Sequence, residues 1–108
     1  MMPMVNVYND NGEFIATVKV NNNLDVWDGS NYQNGGAGRH LGITKLEDGT
    51  YVLIYSSDWQ SERDYAEVIT PKKAYELIMK YDDTMLEWKA FTELKSFQEE
   101  LIKEVELQ

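Results

Sequence analysis

Up to residue 69 the chain places apolar side chains at every second position, and from Thr70 onward the spacing changes to three and four. The first regime predicts strands. Residues 4–8 and 13–20 flank Asn9-Asp10-Asn11-Gly12, and Asn-Gly supplies the positive backbone angle that a tight hairpin needs. In the second of these strands Phe14, Ala16, Val18 and Val20 fall on one face, with Glu13, Thr17 and Lys19 on the other. That alternation predicts a sheet with one covered and one wet face. A second hairpin is predicted from residues 41–46 and 51–56, joined at Glu47-Asp48-Gly49-Thr50. The run Tyr51-Val52-Leu53-Ile54-Tyr55 is apolar on both faces, so it belongs inside the sheet. Residues 65–69 make a fifth strand.

The second regime predicts helices. Thr70 is suited to cap a helix and Pro71 to occupy its first position, where its missing N–H is not needed. Ala74, Leu77, Ile78 and Tyr81 then recur at helical spacing. Tyr81-Asp82-Asp83 interrupts them, and Thr84-Met85-Leu86-Glu87 has the spacing of a capping box. A longer helix is expected over residues 84–106, with Trp88, Phe91, Leu94, Phe97, Leu101 and Val105 as its apolar stripe. The fold expected is therefore one α+β domain over residues 1–108: an antiparallel sheet of four to five strands, covered on one face by two C-terminal antiparallel helices.

Residues 21–39 fit neither regime. Leu24-Asp25-Val26-Trp27 has the character of a short strand, whereas Gly35-Gly36-Ala37-Gly38 favours turns. A connection of this length in a compact domain usually serves a function.

Composition narrows the chemistry. The chain has no cysteine, which excludes a disulfide scaffold, a thiolate zinc site and a cysteine nucleophile. Ten Lys+Arg against nineteen Asp+Glu give a formal charge of −9, the wrong sign for direct nucleic-acid binding. No run is long enough for a membrane span, and Met1-Met2-Pro3-Met4-Val5 lacks the basic and apolar regions of an export signal. The expected compartment is the cytoplasm.

The candidate motifs for catalysis or cofactor binding each lack a part. The glycines at 35, 36 and 38 lead toward a strand instead of a Lys-Ser/Thr at a helix start, so they do not form a phosphate loop. His40, the single histidine, rules out a multi-histidine metal site, and no serine stands in a nucleophile-elbow context. Asp25 and Asp28 offer oxygen ligands but miss the alternate-position spacing of a calcium loop. No cofactor and no catalytic residue is expected.

Aromatic and acidic residues are more suggestive. Asp25, Trp27, Asp28 and Tyr32 form one cluster, and Asp58, Trp59, Glu62 and Asp64 form another, both in predicted loops. Tryptophan and tyrosine in such places are common interface anchors. The acids from Thr70 onward mostly alternate with lysines at helical spacing, as in Glu76–Lys80 and Lys95–Glu99, which is the pattern of a solvated helix face. The first 69 residues instead hold ten acids against four bases, with the surplus in turns and loops.

The stretches Leu24-Asp25-Val26-Trp27-Asp28-Gly29, Gly38-Arg39-His40, Leu46-Glu47-Asp48-Gly49-Thr50-Tyr51-Val52-Leu53-Ile54 and Asp64-Tyr65-Ala66-Glu67-Val68 resemble small uncharacterised proteins carried on mobile elements of Gram-positive bacteria. In general character the chain also resembles anti-CRISPR and anti-restriction proteins, a class defined by function and without a common motif. The resemblance implies an inhibitor, and it transfers no residue roles. With the charge pattern it leads to one expectation: an acidic protein-binding module that docks on a basic protein surface, such as the nucleic-acid-binding channel of a Cas9-type nuclease. The alternatives from the residues are a small-ligand or carbohydrate site using Trp27, Tyr32 and Trp59, and a metal-assisted hydrolase using Asp25, Asp28 and Asp58.

Overall fold

A computed structural model of the chain describes residues 4–25, 39–57 and 63–100. Five strands, β1 (Met4–Tyr8), β2 (Phe14–Lys19), β3 (Arg39–Lys45), β4 (Tyr51–Ser57) and β5 (Tyr65–Ile69), precede the helical part. That part consists of α1 (Pro71–Tyr81), two 3₁₀ segments (Asp83–Glu87 and Thr92–Lys95) and α2 (Ser96–Glu100). Both hairpin turns place glycine at a positive φ, Gly12 at 79° and Gly49 at 95°. In each, a side-chain oxygen holds the turn: Asn9 Oδ1 accepts from the N–H groups of Asn11 and Glu13, and Asp48 Oδ1 from that of Thr50.

The strands form one sheet in the order β2-β1-β5-β4-β3. It is mixed, which corrects the expectation of an antiparallel sheet. The β3–β4–β5 meander is antiparallel throughout, but it delivers β5 to the free side of β1 in the same direction, pairing Val7 with Ala66 and Tyr8 with Glu67. β4 lies inside the sheet, as its apolar run requires.

The two sheet faces are buried by different means. On the helix side, Ile43, Tyr51 and Leu53 pack with Ala74, Tyr75, Leu77 and Ile78 of α1 and with Met85, Leu86, Phe91 and Leu94. On the opposite face Val5, Val7, Val18, Val52, Ile54 and Ala66 form a second cluster. The sheet curls to cover this cluster. Ala16 of β2 and Leu46 of the β3–β4 turn both pack against it, and the same two residues line one cleft. The face of β2 that carries Ala16 and Val18 is thus covered by the sheet itself, while Thr17 and Lys19 on its other face are exposed, as the alternation predicts.

A strap of residues 21–25 follows β2 and seals the outer edge of β3. Leu24 N–H donates to Leu41 O, Asn23 Nδ2 donates to Ile43 O, and Asn23 Oδ1 accepts from Ile43 N–H. The side-chain amide of Asn23 therefore imitates a neighbouring strand, and both exposed backbone groups of Ile43 are satisfied. Gly42 makes the approach possible, because a Cβ there would stand 2.1 Å from Asn21 Oδ1 and 2.2 Å from Asn21 O. Leu24 and Asp25 form no strand; side-chain bonds replace the ladder.

The helical layer is also corrected in part. α1 begins as expected, with Thr70 Oγ1 accepting from Lys73 N–H and Pro71 at the first position. The long second helix does not form over the described residues. Instead, i+3 bonds run from Met85 N to Asp82 O, Trp88 N to Met85 O, Phe91 N to Trp88 O and Leu94 N to Phe91 O. Side chains three apart eclipse in 3₁₀ geometry, so the spacing 85, 88, 91, 94, 97 suits consecutive tight turns. Asp82 replaces Thr84 as the cap, since its carboxylate accepts from both Thr84 N–H and Thr84 Oγ1. The expected stretch beyond Glu100, with Leu101 and Val105, lies outside the described residues.

Candidate functional site

Of the docking residues drawn from the sequence, Trp27, Asp28, Tyr32, Asp58, Trp59 and Glu62 lie outside the described residues. Asp25 and Asp64 are described. Asp25 ends the strap, and its side chain is 2 % exposed. One carboxylate oxygen accepts from Leu41 N–H at 3.0 Å, and the other pairs with His40 Nδ1 at 2.6 Å. The pair fixes the start of β3 against the strap, so Asp25 serves the protein's own backbone. Ser56 lies opposite His40 in the β3–β4 register. Asp64 is half-buried, immediately before β5.

Trp88 reaches solvent from the helical layer at 47 %, and the other exposed rings lie on the sheet. Among the described residues the helical layer covers β3, β4 and the end of β5 and leaves the helix-side face of β1 and β2 open. There Tyr8 is 48 % exposed, Phe14 58 % and Tyr65 53 %. Phe14 reaches this face through a bulge. Val7 pairs with Ala16 and Tyr8 with Phe14, so Ile15 has no partner and the alternation shifts by one residue. Phe14 therefore leaves the side of Ala16 and Val18 and meets the edge of the Tyr8 ring at 6.1 Å. Tyr65 stacks on Tyr55 at 4.5 Å, which joins the open rings to the sheet's covered half.

Carboxylates stand beside these rings. Glu67 is the register partner of Tyr8 and accepts from the Tyr55 hydroxyl at 3.1 Å. Burial, followed by the charge of Glu67, pushes the Tyr55 phenol up to about 12, so it remains a neutral donor. At the β1–β2 hairpin, Glu13 accepts from the Asn9 side-chain amide. Thr17 and Asn6 bond to each other across β1 and β2 on this face.

Sequence reasoning did not select Tyr8, Phe14, Tyr65 or Glu67. For Phe14 simple alternation pointed inward, and nothing local announced the bulge. For Tyr65 a signal was present: its companion at i+2 is Glu67, which marks that side of β5 as wet. Among the described residues no three His, Cys, Asp or Glu side chains converge in a way that could hold a metal ion. No described helix is long and apolar enough to cross a membrane. No family model, curated protein or solved structure matches the chain.

Proposed function

We propose that the chain is an acidic protein-binding module that docks on the basic surface of a nucleic-acid-binding enzyme and thereby competes with nucleic acid. The observation that carries this reading is the open half of the sheet, where Tyr8, Phe14 and Tyr65 stand in solvent, with Glu67 beside Tyr8 and Glu13 next to Phe14 in the chain. Exposed rings clustered on a rigid sheet supply anchoring area at small cost in conformational entropy. Adjacent carboxylates select cationic partners, and they occupy positions that phosphates would take on a Lys/Arg-lined channel. Asp10, Glu47 and Asp48 extend the acidic character over both hairpin turns.

A Cas9-type nuclease is the concrete test case. The chain is titrated into a DNA-cleavage reaction either before or after target DNA is loaded. Inhibition that appears only when the chain precedes DNA, and that weakens as salt rises, is the expected result. Inhibition indifferent to both order and salt would refute competition for the basic channel.

A further inference from the structure

The two edges of the sheet are treated differently. At the β3 edge the strap satisfies Leu41 and Ile43. At the other edge, among the described residues, β2 pairs with β1 alone. Beyond its outer side lies a cleft of about 370 Å³, lined by Ile15, Ala16 and Thr17 on one wall and by Leu46, Glu47 and Asp48 on the other. An edge strand offers a row of unpaired N–H and C=O groups, and proteins usually guard such edges with charge, proline or a bulge. β2 reads Phe-Ile-Ala-Thr-Val-Lys, with no proline and no charge before Lys19. The bulge at Ile15 guards only the start of the strand, and the register is regular from Ala16 to Lys19.

We infer that the cleft between the outer edge of β2 and the β3–β4 turn takes an extended, Lys- or Arg-bearing segment of a partner protein by strand addition. The inference rests on the binding-module reading and narrows it to one mode of contact. The backbone of the segment would complete the ladder beyond β2, in the way edge strands accept peptides elsewhere. Its apolar side chains would meet Ala16 and Leu46, which already belong to the margin of the opposite-face cluster. Its cations would meet Glu47 and Asp48, both exposed across the cleft. The Thr50 side chain and backbone hold the Asp48 carboxyl below its ordinary range, so it presents a full negative charge at neutral pH. A second copy of this chain is a poorer occupant. Its Ile15-Ala16-Thr17 segment brings no cation to the two acids, and each copy carries −9.

The full ¹⁵N-labelled chain is titrated with a blocked octapeptide of alternating Val and Lys. Two further peptides serve as controls, one alternating Val and Glu and one Val/Lys peptide interrupted by a central Pro. The Val/Lys peptide should shift the amides of Ile15, Ala16, Thr17, Glu47 and Asp48. Both control peptides should bind about ten-fold or more weakly, one through charge and the other through its missing backbone donor. The double variant Glu47→Lys/Asp48→Asn should weaken the Val/Lys peptide by a similar factor of about ten. The side-chain amide introduced at position 48 retains an acceptor for Thr50, and an unchanged melting temperature would show that the turn survives. Shifts confined to Tyr8 and Tyr65 would overturn the edge site. So would protection of the Ile15–Thr17 amides by concentration-dependent self-association, which would assign the edge to a second copy. Failure of all three peptides, while the nuclease is still inhibited in an order-dependent manner, would remove the edge site and leave the wider reading standing. Failure of both experiments would remove both.

Discussion

Tyr51 and Tyr65 lie on the same face of adjacent strands, yet Tyr51 is 1 % exposed and Tyr65 stands half in solvent. The difference lies in what the chain places above each. Over Tyr51 the turns after α1 set Phe91, whose ring stacks at 6.2 Å. Glu93 accepts from the Tyr51 hydroxyl and pairs with Lys45, so the helical layer is bolted to β3 and β4 by a polar contact as well as by packing. Over Tyr65, Tyr8 and Phe14 none of the described helical residues provides such a lid. One half of the face is core and the other is surface, although both halves are rich in rings. A ring on a strand shows that a flat apolar place exists; the packing partner decides whether that place stabilises the fold or remains available to another molecule.

The sharpest way to break this comparison is to remove side chains from each half. Leu94→Ala or Ile78→Ala should cost about 2–5 kcal/mol, because each leaves a cavity in the helix-side core. Phe14→Ala or Tyr65→Ala should change stability by only about 0.5 kcal/mol, as expected for surface positions. Chemical denaturation of the four variants reads the difference directly, and equal losses would show that the open half is structural. Next in size is the strap. Gly42→Ala should destabilise by about 1–3 kcal/mol, because the new methyl group collides with the Asn21 backbone and must push the strap from β3. Loss of hydrogen-exchange protection at Ile43 N–H would accompany it.

A smaller effect is expected at the bolt. Hydrogen bonds from Lys45 and then Tyr51 hold the Glu93 carboxyl below its ordinary range. A depressed folded-state value stabilises the protein above the ordinary Glu value of about 4.3, and the contribution is lost as pH falls through the lowered value. Glu93→Gln should therefore lower the melting temperature slightly at neutral pH, leave acid pH little changed, and so flatten the acid limb of the profile. The basic limb should respond to Tyr55, whose raised value favours folding below about pH 10 and ceases to do so as pH passes about 12. Tyr55→Phe removes that dependence. Smallest of all, Glu76→Gln on the exposed side of α1 should leave stability within about 0.5 kcal/mol of the parent.

Local chemistry made much of the fold legible. Asn-Gly and Asp-Gly located both hairpins, the two-faced apolar run located an interior strand, and Thr70-Pro71 located the start of α1. What escaped depended on long-range pairing or on one-residue shifts. The parallel contact of β1 with β5 joins segments far apart in sequence, and nothing in either strand marks its direction. The bulge at Ile15 moved Phe14 to the other face without a glycine or proline inside the strand to signal it. The 3₁₀ turns after Asp82 have the same apolar stripe that predicts a helix, since a spacing of three satisfies both geometries until the hydrogen bonds choose. The site was less legible than the fold. Asp25 looked like a loop carboxylate because its two partners, Leu41 N–H and His40, lie about fifteen residues away.

We propose that the open, ring-bearing half of the sheet meets a basic surface through its own carboxylates, beyond any effect of net charge. This is tested most directly by two reversal variants measured side by side for inhibition of DNA cleavage by the Cas9-type nuclease. One carries Glu13→Lys and Glu67→Lys, and the other carries Glu76→Lys and Asp83→Lys on the helical layer. Both raise the net charge by the same amount. The sheet variant should lose inhibition by at least about ten-fold while the helical variant stays close to the parent, because like charges would face each other only at the docking face. Equal losses in the two variants would contradict it, showing that total charge acts and that the open face does not dock.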